Sequence, residues 1–147
     1  MADIEFSDEE LLRHASGNQS GLFVLGLAWA KERDGSVDSW AEFVGDQFAP
    51  GWDEMRDKGA LAVARIAGLN LASSADSKLV RLEGDESRAE AVIEGPDPEF
   101  LEGTTVVAAD TDRANELIFR RIAEHIGYRL EARRDDAGLH LVFSKDG

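Results

Sequence analysis

The chain has 147 residues, 43% apolar and 31% charged, with 30 acidic side chains against 16 basic ones, a net charge of −14 and no cysteine. That length suits a single domain with one core, and the lack of thiols excludes disulfides, thiolate nucleophiles, iron–sulfur clusters and Cys-rich zinc sites. The acidic excess is even, −7 in each of the halves 1–75 and 76–147, so polyanionic partners such as nucleic acid and anionic membrane surfaces are repelled.

Met1 to Glu5 carries acids where a secretory signal needs a basic start. The longest apolar run, Leu22 to Ala30, is nine residues interrupted by Gly26, about half of a membrane span. A cytoplasmic protein is the expectation. Ser7 and Glu10 have the capping-box spacing, which predicts a helix from about 8 to 16. Gly17 to Ser20 reads as a loop. Leu22 to Arg33 is apolar nearly all round before it turns charged, which predicts a second helix buried on most of its circumference and central to the core.

Asp34-Gly35-Ser36 breaks the chain, and Trp40, Phe43, Val44 and Phe48 then recur at helical spacing. Ala49-Pro50 predicts a kink or a new helix, running to about Gly68 with Gly59 as a weak point. The period next becomes alternating. Lys78 to Glu83 and Arg88 to Glu94 flank Gly84-Asp85-Glu86-Ser87, the pattern of a hairpin. A two-residue loop at Asp85 and Glu86 would set Glu83 opposite Arg88 and Arg81 opposite Glu90, turning Val80, Leu82, Ala89, Ala91 and Ile93 inward. Gly95 to Gly103 reads as a loop. From Asp112 to Ile126 the residues Ala114, Leu117, Ile118, Ile122 and Ile126 form one stripe, with Thr111 as N-cap and Gly127 past the end. In a second hairpin, Tyr128, Leu130 and Ala132 pair with Leu141 and Phe143 across the turn Asp135 to Gly138, leaving Arg129, Glu131, Arg133 and His140 outward.

The expected fold is α+β over a single domain, 1–147: three or four N-terminal helices (1–75) packed on a small antiparallel sheet from a β-β-α-β-β half (76–147). In element order alone, this resembles the small-molecule-binding domains of the 4-vinyl-reductase type; the cysteines common in that group are absent.

Few residues suggest chemistry. His14 lies four after Glu10, a spacing shared by metal ligands on one helix face and by surface ion pairs. His125 falls in a last helical turn, where the dipole favours a cation. His140 reads as an exposed strand residue. Neither a G-x-S-x-G elbow nor a phosphate-binding glycine motif occurs. No metal site and no cofactor are indicated. Arg120, Arg121, Arg129, Arg133 and Arg134 form the one local excess of positive charge, suited to a carboxylate or simply solvated.

The most suggestive feature is aromatic. Trp29, Trp40 and Trp52 lie with Phe23, Phe43 and Phe48 between 23 and 52, opposite a sheet whose inner residues include the small Ala89, Ala91 and Ala132. Large rings over small residues either interdigitate as ordinary core, the commoner outcome, or leave an apolar ligand pocket. Candidate ligand-binding residues are Trp29, Trp40, Phe43, Trp52, His14 and His125, for a small apolar or carboxylate ligand. Three readings follow: a small-molecule-binding or sensing protein, a homodimeric assembly protein using a sheet edge or an apolar helix face, and a cofactor-independent enzyme using His14 or His125.

Overall fold

A computed structural model of the chain describes residues 5–146; most of the acidic N-terminal start lies outside them. The fold is α+β. Helices α1 (Asp8–Asp34), α2 (Asp38–Phe48) and α3 (Ala60–Ala72) precede strands β1 (Lys78–Gly84) and β2 (Arg88–Glu94), then α4 (Ala108–His125) and strands β3 (Tyr128–Asp135) and β4 (Gly138–Lys145). Short 3-10 segments occupy Ala49–Met55 and Pro98–Leu101. Among the described residues no helix is long and apolar enough to cross a membrane.

The capping box forms as its spacing predicts: Ser7 Oγ accepts from the Glu10 backbone N–H at 3.1 Å, and the Glu10 carboxylate accepts from the Ser7 N–H at 2.9 Å. The expected loop at Gly17 to Ser20 does not. α1 runs unbroken for 27 residues. Glycines in its interior cost about 1 kcal/mol each relative to alanine, but tertiary contacts hold the segment: Ser20 Oγ accepts from the Ala75 N–H at 2.9 Å, and Val24, Leu27 and Ala30 are buried. α1 is also not the centre of the core. Only that face is buried, while Leu22, Leu25 and Trp29 are exposed.

α2 crosses α4 closely because Gly45 has no side chain; a Cβ there would stand 2.8 Å from Arg121 Cβ and 2.9 Å from the Ile118 carbonyl oxygen. Gly26 plays the same part between α1 and α2, with Trp40 lying across it. The chain then passes through the 3-10 segment, where Pro50 sits at a helical start, and breaks at Gly59 before α3. The expected single helix from Pro50 to Gly68 is therefore two elements, divided at the weak point. Tyr128, fully buried beneath the break, holds it: its hydroxyl accepts from the Gly59 N–H at 3.1 Å and reaches the Arg56 carbonyl at 3.4 Å. Tyr128→Phe is expected to lower stability by about 1–3 kcal/mol, since it strands a buried N–H. Urea unfolding checks this, and an unchanged midpoint would show that the hydroxyl holds nothing.

The sheet order is β1-β2-β4-β3, antiparallel throughout. The second hairpin has the predicted register, with Leu130 opposite Phe143, Ala132 opposite Leu141 and Asp135 opposite Gly138. The first hairpin is shifted. Glu83 faces Glu90 and Gly84 faces Ala89, and the register slips between Leu79 and Arg81. Asp85 causes this by accepting from the N–H groups of Ser87 (2.8 Å) and Arg88 (3.1 Å), which tightens a longer turn than a two-residue loop. Arg81 still meets Glu90, at 2.6 Å, but diagonally. The bulge leaves Val80 exposed and packs Leu79 with Leu82 against the core in its place.

α3 and α4 cover the face bearing Leu79, Ala91, Leu141 and Phe143; Gly68 of α3 lies against Leu79 and Ala91. α4 starts earlier than its stripe suggested. Val107 precedes its first turn and donates to the Asp110 carboxylate at 2.9 Å, so Thr111 is not the cap but a buried residue bonded to the Ala108 carbonyl. Gly127 follows its end with φ 85°, as predicted.

Candidate functional site

A cavity of about 460 Å³ lies where the helices meet the end of the sheet. Its floor is one face of α4, Thr111, Asn115, Ile118, Phe119 and Ile122, positions that recur at helical spacing. Phe23 and Val24 of α1, and Trp40, Val44 and Phe48 of α2, form one wall; Trp52, Leu71, Ile93, Phe100 and Leu139 close the other sides. The rings pack in tilted and edge-on pairs, Phe23 with Trp40 at 5.8 Å and Trp52 with Phe119 at 6.0 Å between centroids.

The electrostatics of this space are unlike those of the rest of the chain. Among the described residues Arg134 is the sole charged one on its lining, and that charge is already matched. Its guanidinium donates to both carboxylate oxygens of Asp112, at 2.6 and 3.0 Å, and to the Gly95 carbonyl at 2.9 Å. Among the described residues the Asn115 amide makes no hydrogen bond to protein and stands on the α4 floor, leaving its donors and acceptor for a guest.

The candidate residues named from sequence divide. Trp40 and Trp52 line the cavity and are brought together by it. Trp29 does not; it is exposed on the outer face of α1 with the Arg33 guanidinium 4.6 Å over its ring. Phe43 is exposed on α2, away from the lining. His14 is exposed on the first half of α1, where Glu10 bonds to Ser7. His125 pairs with Asp53 at 2.7 Å on the surface. The five arginines are likewise dispersed: Arg120 pairs with Glu116, Arg121 with Glu42 at 2.5 Å, Arg129 with Asp146 at 3.9 Å, Arg133 with Asp135 at 2.8 Å and Arg134 with Asp112. Sequence reading missed Asn115, Phe119 and Phe100. The α4 stripe already contained Ile118 and Ile122, but which part of it meets empty space depends on where α1 and α2 dock.

His140 is the main correction. It lies on the sheet face away from α3 and α4, as predicted, yet is only 2% exposed. Its Nδ1 is 2.5 Å from a Glu90 oxygen and its Nε2 is 2.7 Å from an Asp135 oxygen. A carboxylate only accepts, so both bonds are made together when both ring nitrogens carry hydrogen. Arg81 and Arg133 close the two ends, giving the chain Arg81–Glu90–His140–Asp135–Arg133. The bonds from His140 and Arg133 hold the Asp135 carboxyl well below the usual carboxylate range. For Glu90, burial works against ionisation, but the bonds from His140 and Arg81 outweigh it and lower its pKa. Among the described residues no group of three or more acidic or histidine side chains is arranged to hold a metal. In comparison with known proteins, the chain matches no family model and no curated protein shows significant similarity to it.

Proposed function

We propose that this protein binds a small, neutral, mainly apolar molecule between its helices and the end of its sheet. The observation that carries the reading is the cavity itself: about 460 Å³, inside the range of small-molecule sites, lined mainly by aromatic and aliphatic side chains with the neutral polar Gln19, Ser20, Asn70, Ser74 and Asn115 among them, and with the charge of Arg134 neutralised by Asp112. A carboxylate placed there would lose its hydration without gaining a free cation. A neutral guest gives up little and can use Asn115 for orientation. The neutral apolar guest is therefore favoured over the carboxylate.

The test uses the tryptophans. Trp29→Phe removes the indole outside the cavity and leaves Trp40 and Trp52 as reporters. Titration with the neutral probe N-phenyl-1-naphthylamine is expected to change their emission saturably, with 1-naphthoate binding at least about tenfold more weakly, a difference of about 1.4 kcal/mol. Val44→Trp fills the cavity and is expected to abolish the response. Emission that does not saturate, or a Val44→Trp chain that binds equally well, would sink the proposal. Self-association is a second reading, favoured by the exposed face of α1.

A further inference from the structure

α1 has two apolar faces, and the fold uses one. Opposite the buried Val24, Leu27 and Ala30, a stripe of Leu11, Ala15, Asn18, Leu22, Leu25 and Trp29 is exposed along its whole length. Leu22, which also borders the cavity, is 71% exposed, Leu25 63% and Trp29 55%. The intervals alternate between four and three residues, the seam spacing of paired helices. At 1.5 Å per residue the stripe is about 27 Å long, too extended for scattered surface residues and shaped for another helix.

Charge indicates which helix. From Ala15 to Ala30 α1 carries no charged residue, in a chain of net charge −14. Two copies that meet along this stretch set no acid against acid. The ends bear on direction as well: Asp8, Glu9 and Glu10 occupy the first turn, whereas in the last Lys31 and Arg33 are balanced by Glu32 and Asp34, and Lys31 is bonded to Asp110 of its own chain. With two copies antiparallel about a two-fold axis beside Ser20, Leu11 meets Trp29, Ala15 meets Leu25 and Asn18 meets Leu22. The same register sets each acidic first turn against a last turn of no net charge, and the helix dipoles oppose. A parallel pair would set the acidic turns together. Two-fold pairing of one patch with itself is also the commonest form of assembly.

We propose that α1 is a homodimerisation helix that pairs antiparallel with α1 of a second copy. Sedimentation equilibrium at micromolar concentration is expected to give about twice the 16.0 kDa of one chain. Leu25→Glu is expected to halve that mass while its circular dichroism and its cooperative unfolding in urea are kept, because Leu25 faces solvent in the monomer; its midpoint falls only by the stabilisation that dimerisation adds. The chain lacks cysteine, so register can be read by disulfide trapping. Leu11→Cys and Trp29→Cys are each expected to stay unlinked alone and to form a linked dimer when mixed. A parent chain that sediments as a monomer, or a dimer untouched by Leu25→Glu, overturns the proposal, and self-linking of Leu11→Cys overturns the antiparallel arrangement. A monomer that floats with phosphatidylcholine vesicles assigns the face to lipid and overturns it equally.

Discussion

Gly138→Ala is expected to cost about 3 kcal/mol or more, combining backbone strain with a steric clash that cannot relax. Gly138 has φ 139°, a conformation side chains rarely adopt, and a Cβ there would stand 2.3 Å from the Ile93 carbonyl oxygen and 2.7 Å from its carbon. The obstacle is backbone of the neighbouring strand. β4 pairs with β2 from Leu139 opposite Ile93 to Ser144 opposite Arg88, so movement away from Ile93 opens the ladder between the two central strands. Gly103→Ala provides the comparison: φ is also positive, at 78°, but nothing lies within 4 Å of the added carbon, and a loss of only about 1 kcal/mol is expected. Equal losses in urea unfolding would show that strain alone, without the clash, accounts for the effect.

The second large effect is at His140. His140→Ala removes a buried ring and two charge-assisted bonds at once, and is expected to cost about 2–4 kcal/mol. Arg81 and Arg133 remain beside Glu90 and Asp135, of which Glu90 is half-buried and Asp135 exposed, and this limits the loss. The acid side of the stability profile should change with it. Glu90 and Asp135 both ionise at lower pH in the folded protein than is usual for their type, so their contribution is complete above the ordinary carboxylate values near pH 4 and is lost as pH falls toward the folded ones. Stability of the parent chain is expected to fall between pH 5 and about pH 2, and His140→Ala to fall less over the same interval. Urea midpoints at a series of pH values measure the two slopes. Parallel profiles would mean that the imidazole does not hold these carboxyls in their charged form.

Several elements are legible in the sequence because local chemistry suffices to fix them. Ser7 and Glu10 cap α1, the stripe from Ala114 to Ile126 gives α4, and Asp135 to Gly138 sets the second hairpin to the residue. The first hairpin escapes the same reasoning. Ion pairing placed Arg81 directly opposite Glu90, but long side chains also pair diagonally, and the Asp85 turn together with the bulge at Val80 chose the other register. The cavity is half legible. Trp40 and Trp52 stand out by type, whereas Trp29 and Phe43 are equally aromatic and lie outside it.

The amino-acid sequence by itself determined that this chain is acidic and free of thiol chemistry, that helices precede a hairpin–helix–hairpin half, and which face each residue of the second hairpin takes. These follow from composition, periodicity and turn residues, which act over a few positions. Tertiary structure alone decided exposure. His140 is outward in its strand yet buried, because the order β1-β2-β4-β3 sets β4 between two neighbours whose acids close over the ring. α1 reads as apolar nearly all round yet stays half open, because α2 and α4 dock on one side of it. Periodicity counts apolar residues on a helix; only the arrangement of its neighbours determines how many of them the fold covers.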